Sequence, residues 1–484
     1  MNETQEKKRI LGGYVPAVIL LALLGAACTP VSRDSADKGW VEPRSLGKSI
    51  PTYRPVEKAV NAANAIPAQP QILPTREEPV GVLTLRDALT HTLSKNSELA
   101  AFSWEVRASD ARILQAGLIP NPELGAEVEN FGGSNAQRNF DEAEATFVIS
   151  QLIELGGKRE KRSRVAKLER DLAGWDYEAK RLDVYVATAK AFMATLAAQR
   201  RHELQQDQYK LAGQVRNTVR ERVEAGRASA LEDTKAEVQL ANAEIAAGRA
   251  RRDLQSTREK LASFWGSAAP VFESVDGPFE SFSALPPLEN LLALVPENPD
   301  AARLEAEMQL RRSSLDLEKA RDIPDLTASA GVRRFESTGD NAFIVGISIP
   351  IPVFGVNPGG VLESQRQISK AEHEGRAAIV NITGSLKQAY REGTALYASL
   401  ATISAKVLPG ALGAFQAAQQ GYRQGKFDFL EVLDAQRTLF EARERHLETV
   451  AAYHQTILDI ERLTGRAIES SESDNGKRSR ETSK

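Results

Sequence analysis

Apolar residues along much of the chain keep one rhythm. Leu168, Leu172, Trp175, Ala179, Leu182, Val186, Ala189, Met193 and Leu196 alternate in steps of four and three, a sustained heptad. Ile382, Leu386, Ala389, Gly393, Leu396, Leu400, Ile403 and Val407 repeat it. No proline falls between Lys158 and Ala269. A helix over about 160–222 would therefore run for about 93 Å, three times the thickness of a bilayer core. Its other faces carry Lys, Arg, Glu and Gln. Periodicity by itself fits an ordinary coiled-coil stalk equally well.

Ahead of each long helix the pattern changes. A helix is predicted over Leu85–Ala116, ended by Gly117 and Pro120-Asn121-Pro122. Strands follow at Glu123–Phe131 and Ala143–Ile153, with Gly132-Gly133-Ser134-Asn135 marking the turn. Their counterparts are Asp325–Glu336 and Ala342–Val353, joined by Ser337-Thr338-Gly339-Asp340. Four strands per chain result.

These blocks are two copies of one unit. Asn96-Ser97-Glu98 recurs as Asn298-Pro299-Asp300, and Pro122-Glu123-Leu124-Gly125-Ala126 as Pro324-Asp325-Leu326-Thr327-Ala328, both at an offset of 202. Beyond the next loop Ser150 matches Ser348 at 198, and Gly226-Arg227 matches Gly425-Lys426 at 199. The shortfall of about four residues belongs to one loop.

The N-terminus reads as a leader. Lys7, Lys8 and Arg9 precede an uncharged apolar run, Ile10 to Ala27, of 18 residues, which ends in Gly25-Ala26-Ala27 before Cys28, the sole cysteine. Small residues before a lone cysteine resemble the bacterial lipoprotein cleavage site, although Leu24 stands one place early. Ordinary signal cleavage with an incidental cysteine is the alternative. The expected organisation is a signal peptide over 1–27, an extended lipid-anchored tether rich in Pro and Ala over 28–80, a first repeat over 81–270, a linker over 271–285, a second repeat over 286–466 and a disordered tail over 467–484.

A net charge of −3 with 26% charged residues excludes a nucleic-acid binder that works by bulk basicity. After the leader no stretch comes near 18 apolar residues, so membrane crossing is expected to use strands. Strands of about ten residues suit a tilted outer-membrane strand, yet four cannot close a barrel, and an open edge in lipid is prohibitive. Either several chains pool their strands or the strands form a small soluble sheet capping a coiled coil.

Candidate chemistry is sparse. His91, His202, His373, His446 and His454 are scattered, and no motif supplies a nucleophile with its base, a phosphate cradle or a clustered metal site. His454, in an apolar helix, is expected to be a packing residue. The glycine-rich stretch Gly355 to Gly360 lacks a P-loop lysine and reads as a strand-to-helix turn. The chain is therefore read as a non-enzyme without cofactor or resident metal.

Ala116-Gly117-Leu118-Ile119-Pro120-Asn121-Pro122-Glu123-Leu124 with Glu127-Val128-Glu129-Asn130-Phe131-Gly132-Gly133, and Ile153-Glu154-Leu155-Gly156-Gly157-Lys158-Arg159, resemble the start of the first strand and the return into the long helix of CzcC-like outer-membrane factors of the TolC family. The resemblance spans about residues 83–465. It implies a mainly α fold with a small β part: a homotrimer whose strands complete one β-barrel above a long α-helical barrel in the periplasm. It also implies the exit duct of a tripartite pump for heavy-metal cations, with a periplasmic adaptor protein and an inner-membrane RND transporter as partners and no nucleic acid. A drug-efflux or type I secretion duct, or a periplasmic coiled-coil scaffold lipoprotein, are the alternatives.

Two sites follow from the resemblance. Gly226, Arg227, Ala228, Ser229, Gly425 and Lys426 stand at the periplasmic tip that meets the adaptor, where glycines break both heptad patterns at matching places. Glu431 and Asp434, three apart on one helix face, match the family's entrance aspartates, and Tyr422 fits its gate motif. Phe427 departs from it, standing where a gate-linking arginine is often found.

Overall fold

The computed structural model describes residues 44–54, 78–355 and 357–468. Cys28, the leader and nearly all of the expected tail lie outside them. In chain order, β1 (Gly81–Thr84) leads into α1 (Leu85–Lys95) and α2 (Ser97–Ala116), then the hairpin β2 (Glu123–Glu129) and β3 (Glu144–Ile153). The hairpin α3 (Lys158–Glu224) and α4 (Ala230–Ser263) completes the first copy. After β4 (Phe272–Asp276) and α5 (Leu288–Leu294), the second copy runs through α6 (Pro299–Arg321), β5 (Leu326–Phe335), β6 (Asn341–Ser348), α7 (Pro358–Thr402), α8 (Leu408–Arg423) and α9 (Phe429–Thr464).

Local chemistry corrects several expectations. The opening helix is two helices, because Asn96 takes an extended backbone and its side chain accepts from Leu99 N, capping α2 afresh. Asn298 caps α6 in the same way through Asp300 N. The last predicted strand stops at Ser348 rather than Val353. Pro350 and Pro352 have no N–H to add to a ladder. The four expected strands form, and a further pair is present among the described residues, since β1 pairs in parallel with β4 inside the expected linker. Part of the expected tether is docked as well: Leu46 is buried, and the buried Arg181 donates to the carbonyls of Arg44 and Leu46.

The second long helix is not uniform. Between α7 and α8 lies a π-helical turn, Ile403–Val407, immediately before Pro409, whose missing N–H and ring a regular α-helix would not accommodate. Within Pro358–Arg423 one 18-residue window reaches a mean hydropathy of 1.3, so one helix is long and apolar enough to span a bilayer, contrary to the expectation. Here Leu386, Leu400 and Phe415 of this run pack in three successive core clusters, with α9 in each.

Two of those clusters tie the copies together. Phe192 and Leu196 of α3 meet Trp265, Phe272, Leu400 and Val450, and nearer the hairpin ends Val219 and Ala236 meet Phe415, Tyr422, Phe429 and Val432. Each fully buried large side chain contributes about 1.5–3 kcal/mol.

β2, β3, β5 and β6 form a sheet in that order, antiparallel throughout, so β2 and β6 are its open edges. Register sorts the side chains into two faces. One face carries the rows Leu124, Ile149, Ala330, Val345 and Ala126, Phe147, Val332, Phe343. The other carries Glu127, Thr146, Arg333, Ala342 and Glu129, Glu144, Phe335. Arg333 bridges Glu144 at 2.8 Å and Glu129 at 3.3 Å on that second face. Leu124, Phe147, Phe343, Val345 and Ile347 are exposed on the first. A soluble cap would bury that face, whereas apolar-out and polar-in alternation is what a lipid-embedded barrel requires.

Candidate gate and docking tip

Both long hairpins end in the same hydrogen-bonded turn. Arg227 N donates to Arg222 O and Gly226 N to Val223 O, while Lys426 N donates to Gly421 O and Gly425 N to Tyr422 O, every partner shifted by 199. Gly226 and Gly425 hold φ of +66° and +72°, the left-handed region that only glycine occupies cheaply. The next helices start on caps: Glu232 accepts from Ser229 N at 3.3 Å, and Asp428 accepts from Glu431 N at 3.1 Å. Ser229 and Ala230 are exposed beside the turn, and Leu231 is 61% exposed. An apolar side chain this bare at a hairpin end offers a knob to another coiled coil.

Tyr422 is the structural centre of this end. It is buried, its hydroxyl donates to Glu232 Oε2 at 3.2 Å, and its ring meets Phe429 at 5.9 Å. Arg222 donates to the Tyr422 carbonyl and lies over its ring at 4.2 Å. Burial first, then the Glu232 carboxylate, push the Tyr422 hydroxyl up to about 12, so it remains a donor at ordinary pH. Glu232 thus caps α4 with one oxygen and holds the second hairpin with the other.

Phe427 has a packing role at this turn. Its ring packs on Gly421 so closely that no Cβ fits there. A guanidinium does reach Tyr422, that of Arg222 on the first hairpin. Arg222 and Glu232 were not singled out from sequence; the signal was their placement on the first hairpin, flanking the turn equivalent to the one beside Tyr422.

Glu431 and Asp434 are both exposed on the first turns of α9, as their spacing implies. Asp434 is not a bare charge: Arg437 reaches it at 2.8 Å and Glu441 at 3.7 Å. All of these groups are about two-thirds exposed, so each pair contributes little to stability. The face keeps two net negative charges across Glu431, Asp434, Arg437 and Glu441. Beside it a groove of about 760 Å³ separates α9 from α3 and α4, lined by Gln205, Gln208, Gln239 and Glu444 among others.

Among the described residues no group of three or more His, Cys, Asp or Glu could hold a metal ion. His454 Nε2 is 2.8 Å from Phe279 O, and burial lowers its pKa, the behaviour of a packing histidine. The tip arrangement orders charge and ties helices.

The family model for outer membrane efflux proteins matches residues 88–267 and 293–466, one segment for each copy. This chain is an outer membrane efflux protein. It is 36% identical over 389 residues to the cobalt-zinc-cadmium resistance protein CzcC of Cupriavidus metallidurans, covering 80% of this chain and 91% of that protein. The nickel-cobalt-cadmium resistance protein NccC of Alcaligenes xylosoxydans xylosoxydans is 25% identical, covering 68% and 73%. The Campylobacter jejuni CmeC outer membrane channel has the same fold, with a TM-score of 0.66 at 16% identity over 81% of this chain and 88% of that one. As an outer membrane efflux protein it belongs in the outer membrane.

Proposed function

We propose that the protein is the outer-membrane duct of a tripartite RND-type pump that exports heavy-metal cations of the cobalt, zinc and cadmium class. The observation that carries this is the 36% identity to a cobalt-zinc-cadmium resistance protein along nearly its whole length. Three chains pool their sheets, each open β6 edge pairing with a neighbour's β2, and the long helices continue the duct into the periplasm. It conducts without catalysing. An adaptor hairpin docks on Gly226, Arg227, Ala228, Ser229, Gly425 and Lys426 and connects the duct to the inner-membrane transporter. Glu431 and Asp434 ring the periplasmic entrance, and Tyr422 holds the hairpins that surround it.

Loss of the gene should lower tolerance to cobalt, zinc and cadmium, and the intact gene should restore it. Tryptophan at Ala228 and Ser229 together should fail to restore tolerance while trimers still form, because bulk there blocks the docking knobs. Restored tolerance to toluene or dyes, but not to metals, would assign the duct to another class of pump. Unimpaired metal tolerance with both tryptophans would move the docking site elsewhere.

We assign Cys28 as the acylated first residue of the mature chain, with 28–80 as its tether, 81–270 and 286–466 as the two repeats and 467–484 as a tail. The strands, not the lipid, hold the protein in the membrane. Cys28→Ser with the leader retained should leave the trimer resistant to alkaline extraction. A fully soluble periplasmic product without trimers would refute the integral barrel.

A further inference from the structure

The head of α3 is unusually basic for a chain with net charge −3. Lys158, Arg159, Lys161, Arg162, Arg164, Lys167 and Arg170 crowd its first 13 residues. The fold neutralises three of them: Lys158 pairs with Asp325 at 2.8 Å, Arg162 with Glu154 at 2.5 Å and Arg170 with Asp110 at 3.3 Å. Arg159, Lys161, Arg164 and Lys167 have no carboxylate partner among the described residues. Arg159 is fixed by donating to Gly117 O at 2.6 Å. All four line one cavity of about 620 Å³, with Ser163 and Ser313 as neutral donors. Glu160 and Asp316 also line it, leaving it two positive charges in excess.

Helix formation does not need this charge. The equivalent start of α7, Pro358–Lys370, carries only Arg366 and Lys370. The four cations without a carboxylate partner are thus available to a ligand.

Position identifies that ligand. α3 begins five residues after Ile153, the last residue of β3, whose apolar face meets lipid. At 1.5 Å per residue, Arg159 to Arg164 lie within about 10 Å of the start of the helix, a headgroup's depth and a Debye length. Long Arg and Lys side chains also reach upward to the interface. At helical spacing Glu160, Arg164 and Lys167 share a face with Glu178, Arg181 and Leu182, over which Arg44 and Leu46 are fastened. That segment follows Cys28 in the chain, which on the reading above carries the lipid anchor.

We propose that the cavity between the head of α3, Gly117 and Ser313 binds the phosphate of an anionic phospholipid in the periplasmic leaflet of the outer membrane. Arg159 and Arg164 hold its oxygens, and Lys161 and Lys167 supply field.

The full-length trimer in nanodiscs of phosphatidylcholine containing fluorescent phosphatidylglycerol tests this. Phosphatidylglycerol should bind at least tenfold tighter than phosphatidylcholine, with the preference collapsing as salt is raised. The triple variant Arg159→Ala, Arg164→Ala, Lys167→Ala should lose about fivefold per charge, while Arg164→Lys keeps most of the preference. A folded triple variant with undiminished preference overturns the proposal. So does displacement of the lipid by inorganic phosphate at equal concentration, which would make the site one for soluble phosphate. Should the triple variant fail to assemble, a nitroxide at Lys167→Cys decides: broadening by a paramagnetic headgroup lipid supports the site, and broadening only by a lumen-restricted reagent overturns it. The readouts use added phospholipid, so an unacylated Cys28 would not affect them.

Discussion

Asparagine at both Glu431 and Asp434 is expected to abolish most of the channel's preference for cations in a planar bilayer. In the proposed trimer these two positions set six carboxylates around the narrow end of the duct. Charges of one sign on a constricted, low-dielectric wall raise the local counter-ion concentration about tenfold or more. Arg437 tempers the effect by pairing with Asp434 and approaching Glu441, so Glu431 should account for the larger share. Glu431→Asn alone should therefore shift the reversal potential in a salt gradient more than Asp434→Asn alone. The difference should shrink as ionic strength rises and the Debye length falls from about 10 Å at 0.1 M. Unchanged conductance and unchanged selectivity in the double variant would place the constriction elsewhere along the duct.

Tyr422→Phe combined with Arg222→Gln is expected to raise the open probability sharply without dissolving the trimer. The phenol donates to a carboxylate, a hydrogen bond contributing about 1.5–3 kcal/mol. Arg222 adds its bond to the Tyr422 carbonyl and a cation–π contact of about 0.5–1 kcal/mol. These groups share one network, so the two losses will not simply add. A combined loss of about 2–4 kcal/mol in the arrangement that ties the hairpins corresponds to roughly a 30- to 800-fold rise in the open-to-closed ratio. Phenylalanine retains the ring that packs on Phe429, so the helical end should stay folded. Single-channel records decide the matter: an unaltered open probability would make Tyr422 a packing residue, and loss of trimers would make it an assembly residue.

Much of this protein was written in local pattern. The heptads around Leu168–Leu196 and Ile382–Val407 became the long helices because an apolar stripe at steps of four and three can be buried only along a helix. Gly226 and Gly425 fixed both hairpin ends, since their left-handed backbones are a local property. The matching offsets of the two copies extended down to individual hydrogen bonds at those turns. Spacing alone placed Glu431 and Asp434 on one helix face, and the fold leaves both exposed there.

What sequence could not decide involved groups distant along the chain. The break at Asn96 depends on a cap competing with helix continuation, and its side chain also reaches Phe264 O. The pairing of β1 with β4 joins segments nearly 200 residues apart, whose short apolar stretches carry no register of their own. Arg222 and Glu232 are ordinary charged residues on a helical hairpin until packing brings Tyr422 between them. Phe427 gains its packing role only when Gly421 lies beneath it. Periodicity is set by each residue's nearest neighbours, so the order of residues along the chain reveals it; a linkage between hairpins or a basic cavity exists only when separate helices meet, and tertiary structure alone determined which charges were paired and which were not.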